Sequence, residues 1–156
     1  MARTTPATLM LDKAGASYAL HTYDYDPDAA SIGLHAAQSL GVDPAVMLKT
    51  LIAMVDGKPV CVVLPSDREA AMKKVAAAFG GKAADMAKVA DAERITGYRV
   101  GGVSPFGQKK TLPTVVEAAA LEHPRVFLNG GQRGLQVELD PAELVRILGA
   151  VAAQIS

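Results

Sequence analysis

Several things are scarce in this 156-residue chain, and each scarcity excludes a class of protein. There is a single cysteine, Cys61, so no disulfide can close within the chain. That suits a reducing compartment, and the expected location is the cytoplasm. Tryptophan is absent and aromatic residues make up 4%, which argues against a broad base-stacking platform. Neither sign of charge is in excess, with 16 Lys+Arg against 16 Asp+Glu. A protein that coats DNA carries a basic surplus, so DNA is not an expected partner. No apolar run approaches the ~18 residues that span a bilayer. The opening Met1-Ala2-Arg3-Thr4-Thr5-Pro6 meets Asp12 and Lys13 before any such run, so neither a secretory leader nor a membrane is expected.

Half of the residues are hydrophobic, too many for a disordered chain. The length fits one domain, and the expectation is a single domain over 1–156. Thr5 as cap, Pro6 at the first helical position and Gly15 as stop predict a first helix. Alternation from Ser17 to Tyr23 predicts a half-buried strand, followed by an acidic loop at Asp24, Asp26 and Asp28. A helix is expected over Ser31–Leu40, ending at Gly41, and a further turn at Asp43-Pro44. Leu48–Val55 and Pro59–Leu64 flank Asp56-Gly57, a strong hairpin signal. Ser66-x-x-Glu69 reads as a capping box for a helix through Phe79. A smaller helix is expected over Lys88–Thr96, then a Gly- and Pro-rich loop from Val100 to Lys110 leaving a short strand. Further strands are expected at Thr114–Glu117, Arg125–Asn129 and Leu135–Leu139. Asp140-Pro141-x-Glu143 should cap a last helix carrying Leu144, Ile147, Leu148 and Val151. Strands and helices do not alternate regularly, so the class is α+β, a mixed sheet of about six or seven strands with surrounding helices.

Three places carry candidate chemistry. Lys49 lies between Met47-Leu48 and Leu51-Ile52, inside a segment bound for the core. It is either a strand-edge lysine reaching to water or a pocket-floor lysine whose charge an anionic ligand restores. Thr50 should point to the opposite face. Gly101-Gly102-Val103-Ser104-Pro105-Phe106-Gly107-Gln108-Lys109-Lys110 is either an ordinary loop or one whose backbone N–H groups converge on an oxygen. Lys109 and Lys110 could then reach phosphates. Asn129-Gly130-Gly131-Gln132-Arg133-Gly134 reads as a turn between strands, with Arg133 exposed and able to pair with phosphate. Cys61 reads as an inert core thiol. His21, His35 and His123 lack metal-ligand spacing, and no serine nucleophile elbow is present.

His21-Thr22-Tyr23, Leu48-Lys49-Thr50-Leu51, Thr96-Gly97-Tyr98, the Gly101–Lys110 loop and Arg133-Gly134-Leu135 occur in that order. In this the whole chain resembles the YbaK family of free-standing aminoacyl-tRNA deacylases, which clear mischarged Cys-tRNA(Pro). These are similar to the editing domain inserted in bacterial prolyl-tRNA synthetases. The resemblance implies a curved, barrel-like mixed sheet, no cofactor and no metal. Lys49 would be the key lysine, with Thr50 beside it and Tyr23 on the pocket wall. Gly101, Gly102, Val103, Ser104, Pro105 and Gly107 would hold the terminal aminoacyl-adenosine, while Lys109, Lys110 and Arg133 would contact CCA phosphates. The chain departs from the family at Asn129, Gln136 and Ile32, where a small serine, an aspartate and an aromatic are usual. The implied substrate is the 3′ CCA end of Cys-tRNA(Pro), cleaved with help from the substrate's own thiol, and the implied partner is a prolyl-tRNA synthetase. Two alternatives stand beside it: a deacylase for Ala-tRNA(Pro) or another small residue using water, and a non-catalytic tRNA- or synthetase-binding module.

Overall fold

The local signals at the chain's start are realised first. The structure is a computed structural model that describes residues 4–156; the leader expectation rests partly on Met1–Arg3, which lie outside the described residues. Helix α1 (Pro6–Lys13) opens with a reciprocal cap. The Thr8 N–H donates to Thr5 Oγ1 at 3.1 Å, and the Thr5 N–H donates to Thr8 Oγ1 at 2.9 Å. Strand β1 (Tyr18–Thr22) and helix α2 (Ile32–Leu40) follow, the helix capped by Ser31 and closed by Gly41 in the left-handed region. The hairpin of β2 (Leu48–Val55) and β3 (Lys58–Pro65) turns on Asp56 (φ +49) and Gly57 (φ +81). Two successive positive φ values are what a two-residue hairpin loop requires.

The Ser66-x-x-Glu69 capping box does not form. The Ser66 hydroxyl and N–H both donate to the Met47 carbonyl, a tertiary contact that removes the cap. Helix α3 (Met72–Ala78) therefore starts later, with Ala71 at its cap position and no side-chain cap. Then come β4 (Ala84–Met86), which the sequence pattern did not predict, and α4 (Val89–Thr96), ended by Gly97. The glycine-rich loop thus leaves a helix, not a short strand. After it run β5 (Thr114–Glu117), a 3-10 turn at Ala118–Glu122, β6 (Val126–Asn129), β7 (Leu135–Leu139), α5 (Ala142–Leu148) and β8 (Val151–Ala153). Val151, expected on the last helix, instead opens β8 and is exposed, because Gly149 ends α5.

The class is α+β, but the strands form two sheets. One is antiparallel in the order β1-β7-β6; the other runs β4-β2-β3-β5-β8, antiparallel up to β3 and parallel from β3 to β8. The expected single barrel-like sheet is corrected on this point, and there are eight strands among the described residues. The sheets touch through one bridge, Met47 with Phe127. On that side the Phe127 N–H donates to the Val46 carbonyl at 2.8 Å. The main core lies between the sheets: Leu48, Ile52, Cys61 and Val63 face Leu128, Val137 and Leu139, with Leu11 and Phe106 closing the end. A second core behind β2 and β3 holds Val60, Val62, Leu64, Val75, Val115 and Ile155.

Candidate active site

Strand β2 is paired with β3 along its whole length, but β4 covers it only at Ala53–Val55. Its Leu48–Leu51 half is an open strand edge, and this edge lines a cavity of about 270 Å³. Alternation sends Leu48, Thr50 and Ile52 to the inter-sheet side and Lys49, Leu51 and Ala53 to the other. Thr50 therefore does oppose Lys49, and both line the cavity because it wraps around the edge. The start of α2 (Ile32, Gly33), the β4–α4 connection (Met86, Ala87, Val89), the loop residues Val100, Gly101 and Val103, and Asn129 and Gln136 from the small sheet complete the wall.

Lys49 is half-buried. Loss of water around its ammonium lowers its pKa, and the carboxylates of Glu69 and Asp67 oppose that shift. Gln136 is buried and donates its Nε2–H to Asn129 Oδ1 at 2.7 Å. Its Oε1, Thr50 Oγ1 and the Tyr23 hydroxyl are buried with no hydrogen-bond partner among the described residues. Burial raises the Tyr23 hydroxyl pKa, with the nearby Gln136 amide acting in the opposite sense.

Seven of the expected positions line this cavity: Ile32, Lys49, Thr50, Gly101, Val103, Asn129 and Gln136. The others are not among its lining residues. Tyr23 lines a neighbouring concavity with Thr22, Asp24 and Ser39, while its buried hydroxyl lies close to the Gln136 amide of the cavity wall. Gly102 is buried, and its N–H already donates to the Arg99 carbonyl at 2.9 Å, so it has no proton to offer a ligand oxygen. Ser104 is fully buried, its Oγ accepting from the Phe106 N–H. Pro105 and Gly107 line a crevice with Met10 and Leu148, and Gly107 packs so closely on Pro6 that a side chain there would strike its carbonyl. Pro105 and Gly107 thus seat the loop against α1, whereas Ser104 braces the loop internally. Lys109 and Lys110 are exposed beside Arg94, Met54 and Pro59, away from the cavity wall. Arg133, expected to be unengaged, donates from Nε and Nη2 to the Val100 carbonyl at 2.9 and 2.8 Å.

Sequence reasoning missed the apolar wall from Met86 to Ala92, which no motif marks. It also missed Gly33, whose place in a first helical turn was a visible signal. A side chain at Gly33 would collide with Ser66.

A model of the aminoacyl-tRNA editing domain matches residues 26–147. The chain belongs to this family. The editing domain is 32% identical, over 97% of its length and 93% of the relative's, to a protein of Enterococcus faecalis provisionally named Cys-tRNA(Pro)/Cys-tRNA(Cys) deacylase EbsC. It is 38% identical to a stretch of the proline–tRNA ligase of Streptomyces coelicolor, covering 54% of this chain and 15% of the ligase. A solved structure described provisionally as a trans-editing enzyme for prolyl tRNA synthetase superposes with a TM-score of 0.82 over 99% of each chain; at 21% identity this shows the shared fold.

The editing domain's cavity offers one cationic side chain, backbone and amide dipoles, and apolar walls. Cys61 is fully buried, and burial pushes its thiol up to about 12, so it is no nucleophile. Among the described residues no group of three or more His, Cys, Asp or Glu could hold a metal ion. Such a site can orient an activated ester and stabilise charge on it.

Proposed function

We propose that this chain is a trans-editing deacylase that cleaves the ester of mischarged Cys-tRNA(Pro). The observation that carries the reading is Lys49 on the open edge of β2, half-buried in an apolar cavity beside Thr50 and Gly101. The name of the Enterococcus faecalis relative supports the same substrate. An aminoacyl ester is already activated, so a site without a nucleophile of its own suffices if the substrate supplies one. In the step, the cysteinyl sulfur loses its proton and bonds to its own carbonyl carbon. The bond from that carbon to the adenosine 3′-oxygen breaks, and the proton goes to this oxygen. The products are tRNA with a 3′-hydroxyl and a cyclic thioester that water opens to cysteine. Proximity in such intramolecular attack supplies up to ~7–11 kcal/mol in well-oriented cases. Lys49 holds the terminal adenosine and polarises its surroundings, with Gly101 and Val103 orienting the carbonyl end. Lys109 and Lys110 contact phosphates farther along the acceptor end, and a prolyl-tRNA synthetase partner selects the tRNA.

One observation favours a second reading. The Asn129–Gln136 pair is neutral where the family pattern carries an aspartate, and this loss of a pocket charge favours a changed amino-acid preference, such as a deacylase for Ala-tRNA(Pro) in which water attacks the carbonyl and its proton goes to the 3′-oxygen. Hydrolysis of Cys-, Ala- and Ser-tRNA(Pro) by one preparation separates the two. The cysteinyl ester should disappear at least ten times faster than the others; loss of the alanyl ester alone would reject thiol chemistry. Lys49→Ala should abolish turnover in a folded protein. Unchanged hydrolysis would point to a binding module.

A further inference from the structure

Three chain segments meet at the rim of the cavity and are tied together by one side chain. Arg133, in the β6–β7 turn, makes a two-point contact with a single acceptor, the Val100 carbonyl. Its guanidinium carbon lies 5.1 Å from the ring centre of Tyr25, which precedes α2. Gly101 (φ +99) packs so closely on the same tyrosine that a Cβ there would lie 2.5 Å from the hydroxyl. A Cβ on Gly102 would fall 2.9 Å from the Arg133 backbone nitrogen. Val100 and Gly101 line the cavity; Arg133 and Tyr25 do not. Two of the five guanidinium N–H donors serve that carbonyl and its face covers the ring, so contacts within the chain fix the orientation of this side chain.

From this arrangement we infer that Arg133 is a positioning residue. It clasps the Val100–Gly101 backbone against Tyr25 and so fixes the loop that forms one wall of the substrate cavity; it does not serve as a tRNA-phosphate ligand. The functional part of this inference rests on the deacylase reading, whereas the clasp itself does not.

Arg133→Lys decides between clasp and phosphate ligand, because lysine keeps the charge but lacks the planar fork. Two readouts are taken on the whole chain, with Arg133→Ala alongside. Amide hydrogen exchange, which needs no substrate, should be faster by about tenfold or more over residues 99–104 in both variants, with β3 amides unchanged. On Cys-tRNA(Pro), kcat should fall about tenfold for both while KM stays within twofold, and the salt dependence of tRNA binding should match the parent chain. The inference is overturned if Arg133→Lys exchanges and turns over like the parent chain. It is also overturned if Arg133→Ala flattens the salt dependence by about one phosphate contact while leaving loop exchange untouched. Should the parent chain hydrolyse none of the three esters, the deacylase reading fails, and the exchange readout still decides the clasp.

Discussion

Lys49 carries a cost in the folded chain. Its ammonium is partly stripped of water in the cavity, and only Glu69 and Asp67 work against that loss. Its folded pKa is therefore below the ordinary 10.5. In the window between the two values the unfolded chain binds more protons, so stability attributable to this residue rises with pH there. Below the window both states are protonated and the cost is complete; above 10.5 it vanishes. Lys49→Met should therefore raise the melting temperature near neutral pH, and its advantage should shrink as pH climbs towards 10.5. The same variant should lose roughly a hundredfold or more in deacylation, the scale seen when a single electrostatic donor is removed from a site. Paired thermal scans from pH 7 to above the window test this. A melting difference that stays constant with pH, or has the opposite sign, would show that Lys49 is a solvated edge lysine, the other reading its sequence neighbours allow.

The hairpin that delivers Lys49 depends on a turn residue with a rare backbone conformation. Asp56 is the one residue other than glycine with positive φ among the described residues, and its carboxylate also accepts from the Lys82 and Ala83 N–H groups. Asp56→Ala should cost roughly 1–2 kcal/mol for the left-handed backbone alone, plus the lost contacts with the α3–β4 connection. Asp56→Asn should lose less, since asparagine tolerates this conformation. Chemical denaturation of both variants measures the difference, and equal losses would show that the backbone term is not the important one. This hairpin was legible in the sequence because Asp-Gly and two apolar runs specify it locally. The cap of α1 and the stops at Gly41 and Gly97 were legible for the same reason. Elements made by distant partners were not. β4 and β8 have three residues each and exist through pairing with β2 and β5. Ser66 held a perfect local cap pattern and lost it to Met47, nineteen residues away. The site divides in the same way: Lys49 stood out as a charge in an apolar run, and the glycine-rich loop by its composition. That Gly101 and Val103 face the cavity while Pro105 and Gly107 hold the loop to α1 depends on packing that no spacing encodes.

At the scale of the whole molecule, the zero net charge is an average over two unlike parts. From Arg99 to Arg133 there are five basic residues against Glu117 and Glu122, so 5 − 2 = +3, and the remainder of the chain sums to −3. The fold reduces that surplus further. Arg133 is spent on Val100, and Arg125 on the Glu138 carboxylate and carbonyl. Arg99, Lys109 and Lys110 stay exposed. Contact with about three phosphates of a single-stranded end predicts a shallow salt dependence, a slope of about −2 in log affinity against log salt. Replacing Lys109 and Lys110 together by alanine should bring that slope to about −0.7 and raise KM. A slope much steeper than −2 for the parent chain would mean that a larger surface grips the tRNA. An unchanged slope in the double variant would place the nucleic acid on another face, and with it the approach to the Lys49 cavity.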